Sequence, residues 1–300
     1  MTVALFITSV LAWGLTWIAI KLHLDAAPIM VSLCYRFVIA AVVLALVLAA
    51  TGRLRPMAWR HQPWLVLQGV ALFGANYVLV YNGSALVVSG LVALLFSSAT
   101  LFNPVNAWIF FGQRPQPRVV AGAALGMAGI ATLFRHDLMA LDLGDGGALA
   151  GPLLGAALVL AGTYVFSLGN MVSMRNTREG LDLPNAVLWA MGYGAVIQAA
   201  LAAARGLDFH FTVTPVTLGS LLYLALPGTI VGFLAYLSLV QRVGAGRAAY
   251  VTVLYPVVAL VVSVLVEGYA WTLESTLGLA LVMAGNLVIF GRLPRHRTPA

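Results

Sequence analysis

The stretch Gly122-Ala-Ala-Leu-Gly-Met-Ala-Gly-Ile-Ala-Thr-Leu-Phe134 returns 156 residues later as Gly278-Leu-Ala-Leu-Val-Met-Ala-Gly-Asn-Leu-Val-Ile-Phe290. Leu125, Met127, Ala128 and Gly129 recur as Leu281, Met283, Ala284 and Gly285. At the same offset Gly90 meets Gly246 and Pro28 meets Pro184, so the match extends over most of a half-chain. We read it as a duplicated unit of about five helices. Within the stretch, Gly122, Gly126 and Gly129 sit in a continuous apolar run with no preceding strand and no acidic partner. Close helix packing explains them better than a phosphate-binding loop.

Of the 300 residues, 62% are hydrophobic and 8% are charged, and the mean hydropathy is +0.99. A soluble domain carries about 25% charged residues. Lipid offers backbone groups no hydrogen-bond partners, so each span must be a helix of about 20 mostly apolar residues. Ten segments qualify: 3–21, 28–51, 63–83, 86–111, 118–135, 149–174, 184–204, 216–240, 246–266 and 273–291. The expected fold class is therefore an all-α polytopic membrane protein with ten transmembrane helices. Its parts would be a first repeat over 1–136, an outer linker over 137–148, a second repeat over 149–291 and a basic cytoplasmic tail over 292–300.

The net charge of +7 does not imply nucleic acid, because the arginines are scattered among short loops rather than gathered on one face. Topology accounts for them. With the N-terminus inside, Arg53, Arg55, Arg60, Arg114, Arg118, Arg175, Arg178, Arg242, Arg247, Arg292, Arg295 and Arg297 all fall on the inner side. Lys21, Arg135 and Arg205 fall outside, and Arg36 alone lies within a span. The positive-inside rule then places both termini in the cytoplasm. Met1-Thr2 supplies no basic lead-in, so the first apolar run is read as a span rather than a signal peptide. Cys34 is the single cysteine, which excludes an intrachain disulfide or a cysteine metal site.

The polar residues inside the spans mark a candidate cavity. Trp17 on the first span pairs with Tyr164 on the sixth at an offset of 147, which suggests that both helices line it. Arg36 lies about 12 Å inside the second span, at 1.5 Å per residue. A cation at that depth costs about 2.5 kcal/mol or more, so it should face protein or water and have a partner, either as a snorkelled or paired structural residue or as a gate or substrate contact. Tyr77 and Tyr81 share a face of the third span beside Asn76. The fourth carries Ser97, Thr100, Asn103 and Asn106, with Pro104 removing a backbone donor. In the second half, Tyr236 follows a break at Pro227-Gly228, and Tyr250 precedes one at Pro256. Part of this polarity is expected to serve as interhelical glue.

Catalytic chemistry has no foothold in these patterns. All five histidines are assigned to loops or the tail, and no carboxylate or histidine is expected at mid-membrane. No metal or cofactor is expected. A proton-driven carrier usually keeps a titratable group in its core, so a gradient-driven facilitator is the simpler mechanism. Two buried cations at most, Arg36 and Lys21, disfavour phosphate esters and favour a net-neutral small molecule such as a zwitterionic amino acid. An aromatic or apolar side chain would stack on Trp17, Tyr77, Tyr81 and Tyr164. The alternatives are a multidrug or nucleobase exporter and, in another class, a membrane enzyme acting on lipid-linked substrates, for which the loops lack motif spacing.

Trp13-Gly14 followed by Lys21, the segment from Pro28 to Arg36-Phe37, the region from Gly90 to Gly112, and the Gly122–Gly129 stretch with its repeat beside Glu267 resemble the EamA-type ten-helix carriers of the drug/metabolite transporter superfamily. Within these the chain looks like the YddG-type aromatic amino acid exporters. The resemblance covers nearly the whole chain. It implies two inverted five-helix repeats in a basket-like arrangement, alternating access, and export of amino acids and related metabolites. The expected setting is a bacterial inner membrane, and the expected state a monomer. The first repeat departs from the pattern in having Gln113 where an acid commonly follows the glycine. Glu267 holds the second position and is assigned a structural role.

Overall fold

The computed structural model describes residues 2–114, 116–133, 135, 151–243 and 251–290. Every regular element among them is helical. In chain order they are α1 (Thr2–Gly14), α2 (Thr16–His23), α3 (Ile29–Ala50), α4 (Gln62–Val70), α5 (Asn76–Leu86), α6 (Ser89–Phe96), α7 (Ala99–Phe111), α8 (Pro117–Leu133), α9 (Gly151–Arg178), α10 (Leu183–Ala204), α11 (Pro215–Ala225), α12 (Gly232–Val243), α13 (Val251–Val266) and α14 (Leu273–Phe290). Seven helical stretches are long and apolar enough to cross a bilayer, and three shorter apolar helices accompany them. Leu46, Ile109, Met127, Val196 and Leu265 are among the large apolar side chains left on the outer surface. Such a belt suits contact with lipid tails.

Local chemistry sets the ends. Pro28 precedes α3 with φ −52° and ψ 140°, where a missing N–H removes no helical bond. Asp182 caps α10 by accepting from Asn185 N. Thr214 and Thr217 form a reciprocal capping box around Pro215 at the start of α11. Gly112 closes α7 at φ +66°, a left-handed conformation that glycine adopts without steric cost.

Helices of the first half pack on helices of the second. α1 and α2 lie along α12 and α11, α3 on α10, α5 on α9, α6 on α13, and α8 on α14. The last pair joins the two copies of the repeated stretch. A β-carbon at Gly122 would meet Gly285 O at 2.5 Å, and one at Gly129 would meet Gly278 O at 2.6 Å, so the two helices run antiparallel with backbones in contact. Small residues permit that approach, and dispersion between the backbones replaces the hydrophobic drive that lipid does not supply.

Two of the three expected proline breaks do not occur where the prolines stand. The fourth span divides at Ser97-Ser98, between α6 and α7, whereas Pro104 sits inside a continuing α7. Ser97 Oγ donates to Leu94 O (2.6 Å) and Thr100 Oγ1 to Ser97 O (2.8 Å), so hydroxyls compete for carbonyls one turn ahead of the proline. Pro256 likewise lies buried within α13 rather than interrupting it. Pro227 does coincide with a disturbance, a π-helical segment over Leu226–Val231. A second π segment, Ala71–Ala75, separates α4 from α5 without any proline. Ala75 and Val231 stand 156 residues apart, the spacing of the sequence repeat.

The linker 137–148, the tail 292–300 and the first residues of the expected span 246–266 lie outside the described residues, as does Tyr250.

Candidate functional site

Between the two sets of helices lies a cavity of about 670 Å³. Small-molecule sites occupy about 300–1,000 Å³. Its wall carries nine aromatic rings, contributed by Trp13, Trp17, Phe73, Tyr77, Phe96, Phe166, Phe233, Tyr236 and Tyr255. Polar lining comes from Thr16, Arg36, Asn76, Ser97, Thr100, Asn103, Asn170, Ser173, Thr229 and Thr252. No carboxylate is among the described lining residues. Both π segments contribute, Leu72 and Phe73 from one and Gly228, Thr229 and Ile230 from the other. Widened turns of this kind frequently mark functional sites, because they re-aim side chains and leave carbonyls without helical donors.

Arg36 is the cation of this cavity, 1% exposed on α3. Its Nη1 donates to Tyr81 Oη at 3.1 Å. Its Nη2 donates to Thr229 Oγ1 at 3.2 Å and, at the long limit of 3.5 Å, to Tyr77 Oη. The guanidinium carbon lies 4.7 Å from the centroid of the Tyr77 ring, a cation–π contact. Nε has no partner among the described residues. Lys21, the other candidate cation, is committed elsewhere: its Nζ donates to Ser84 O at 2.7 Å and Val87 O at 3.4 Å, where the C-terminal end of α5 favours positive charge.

Trp17 is buried with its ring 5.1 Å from Phe96 and 6.1 Å from Tyr255, and its indole N–H lacks an acceptor among the described residues. Tyr236 packs 5.0 Å from Trp13. Asn76 donates through Nδ2 to Leu72 O, and its Oδ1 has no partner among the described residues. Asn103 accepts from Asn170 Nδ2 at 3.2 Å, one rung of an amide ladder that continues through Asn106 to Ser167 and Asn176 to Gln68. Asn103 thus serves helix association as well as the cavity wall.

Trp17, Asn76, Tyr77, Ser97, Asn103, Tyr236, Arg36 and Pro104 are brought together around the cavity. Tyr81 is not a wall residue; it stands behind Arg36, 1% exposed. Tyr164 corrects the pairing with Trp17. It points away from the cavity, 41% exposed, with its ring 5.4 Å from Phe102. The neighbouring Thr163 is the buried residue of that turn, because adjacent helical positions diverge by about 100°. His23 corrects the loop assignment: it ends α2, fully buried, with Nδ1 3.2 Å from Ser220 Oγ. Glu267 stands at the N-terminal end of α6, where its carboxylate accepts from Ser89 N–H at 2.9 Å, from Ser89 Oγ, and from Ser263 Oγ at 2.7 Å. That is a structural anchor at the positive end of a helix dipole.

Thr229, Phe96, Phe166, Phe233 and Tyr255 line the cavity without having been singled out as site residues. Thr229 had a signal, since it follows Pro227-Gly228 in the broken turn. The phenylalanines had none, because apolar rings look alike facing lipid or a cavity.

An all-helical bundle with a lipid-facing apolar belt and an aromatic internal cavity is the framework of a multi-pass membrane transport protein. The chain belongs to the EamA-like transporter family, whose model matches residues 1–135 and again 153–291. It is 28% identical to the probable terminal-alkyne amino-acid exporter of Streptantibioticus cattleyicolor, over 98% of this chain and 96% of that one. It is 28% identical to the uncharacterized inner membrane transporter YedA of Escherichia coli K12, over 96% and 89%. It is 26% identical to a probable amino-acid metabolite efflux pump of the same strain, over 94% and 92%. One solved crystal structure shares the fold, with a TM-score of 0.64 at 19% identity, covering 96% of this chain and 95% of its own.

Proposed function

We propose that the protein exports small zwitterionic metabolites, aromatic and other apolar amino acids first among them, by alternating access between two inverted repeats, 1–136 and 149–291. The observation that carries this reading is the aromatic cavity with a buried arginine and no acid in its described wall. Rings supply stacking area for an apolar side chain, and the polar groups orient the charged end. The names of two relatives point the same way, and the twofold match of the family model supports the repeat division.

On this reading the chain sits in a bacterial inner membrane with both termini cytoplasmic. The cavity reaches Leu183 and Pro184, at the end where Asn185 holds the Arg53–Arg55 loop. At the other end Thr212 N–H donates to Ala26 O (2.8 Å) and Tyr35 Oη to Phe209 O (2.6 Å). The solute site then faces the cytoplasm with the outer side closed. One chain encloses the cavity, so a monomer suffices. Transport runs down the solute gradient, as no carboxylate or histidine of the described wall offers a coupling proton site. Flux of radiolabelled phenylalanine in protein-loaded against empty liposomes tests the proposal. Saturable, protein-dependent flux supports it, and equal leakage in both overturns it.

A further inference from the structure

A count of donors and acceptors around Arg36 leaves the cluster short of acceptors. The guanidinium has five N–H groups. Three contacts are made, to the hydroxyl oxygens of Tyr81, Tyr77 and Thr229. Thr229 spends its own proton on Leu224 O at 2.7 Å, so towards Arg36 it can only accept. The two phenol oxygens also accept, and among the described residues neither phenol proton has an acceptor. Nε–H is buried and has no partner among the described residues. The described partners of Arg36 are all uncharged, and Glu267 is held by Ser89 and Ser263.

From this surplus we infer that Arg36, flanked by Tyr77 and Tyr81, is the site for the solute's carboxylate. A carboxylate is acceptor-only, offers about four lone-pair positions, and matches a guanidinium edge with two parallel bonds. It supplies both the missing acceptors and the missing counter-charge. An ammonium placed here would add donors to donors and repel the arginine. A phosphate dianion would leave a net negative charge that no second cation among the described wall residues neutralises. The inference rests on the proposed export of amino acids and adds which end of the molecule the cavity recognises.

The test is calorimetric titration of the detergent-purified full chain with three compounds that share a phenyl ring: L-phenylalanine, 3-phenylpropionate and phenethylamine. L-Phenylalanine and 3-phenylpropionate are expected to bind, and phenethylamine to bind at least about tenfold more weakly, the loss that follows from one charge-assisted pair. Arg36→Lys keeps the charge but loses Nε and the planar fork, and should narrow that preference about tenfold. Tyr81→Phe, which keeps the ring, should narrow it in the same direction and serves if the lysine variant does not fold. Phenethylamine binding as tightly as phenylalanine to the parent protein would overturn the carboxylate site while leaving amino-acid export standing. Binding of 3-phenylpropionate alone would uphold the site and remove the amino-acid reading. No binding by any of the three overturns both.

Discussion

Gly122 and Gly285 meet across the α8–α14 interface so closely that a β-carbon on either would lie 2.5 Å from the other's carbonyl oxygen. The obstacle is backbone on both sides, so no side-chain rotation can relieve it. Gly122→Ala and Gly285→Ala should each destabilise the protein by about 1–3 kcal/mol through overpacking. At Gly126 an added β-carbon would find only Leu101 Cδ1, at 3.7 Å. Thermal unfolding in detergent checks the contrast: the first two variants should melt several degrees lower, and Gly126→Ala should melt with the parent.

Trp17 and Tyr164 share a place in the sequence pattern but not in the structure. Trp17→Ala removes a buried ring from the cavity wall between Phe96 and Tyr255. Liposome flux of phenylalanine should fall about tenfold or more, in line with the loss of an aromatic pair and its buried area. Tyr164→Ala alters an outward-facing ring and should leave flux within about twofold of the parent. The reverse ranking would show that the solute passes along another face.

Glu267 holds the start of α6 through Ser89 and the preceding turn of α13 through Ser263. Glu267→Gln keeps the shape but weakens a charged acceptor, at a cost of about 1–2 kcal/mol. The melting temperature should drop while the affinity for phenylalanine stays unchanged. A lost dependence of flux on a pH gradient, with stability intact, would instead assign this residue to proton coupling.

Tyr35 Oη donates to Phe209 O, tying α3 to the segment that follows α10, and Cys34 lies buried beside it. Tyr35→Phe removes one hydrogen bond worth about 0.5–1.5 kcal/mol, enough to raise the open population up to about tenfold. The rate of maleimide labelling at Cys34 should rise by a similar factor. An unchanged rate would mean that this hydrogen bond does not hold α3 closed over Cys34.

Composition and repetition by themselves determine much of this protein. Lipid permits only helices with satisfied backbones, so long apolar runs read directly as helices. The recurring glycines at 122 and 129, and at 278 and 285, marked the surfaces that pack most closely. Arg36, Tyr77, Asn76 and Trp17 are legible in the same way, because a polar or amphipathic residue inside an apolar run must find protein or water rather than lipid.

What only the tertiary structure decided is which way each side chain turns and what it meets. Tyr164 and Thr163 are one residue apart, yet one faces outward and the other the interior, since 100° of helix rotation is decided by the neighbours that pack against it. The π segment at Ala71–Ala75 carries no proline to announce it. Phe96, Phe166 and Phe233 belong to the cavity because helices distant in sequence close around them, and a ring is equally apolar against lipid or solute. That Nε of Arg36 has no acceptor among the described residues is likewise a property of the assembled site, because partners distant in sequence meet only in the fold.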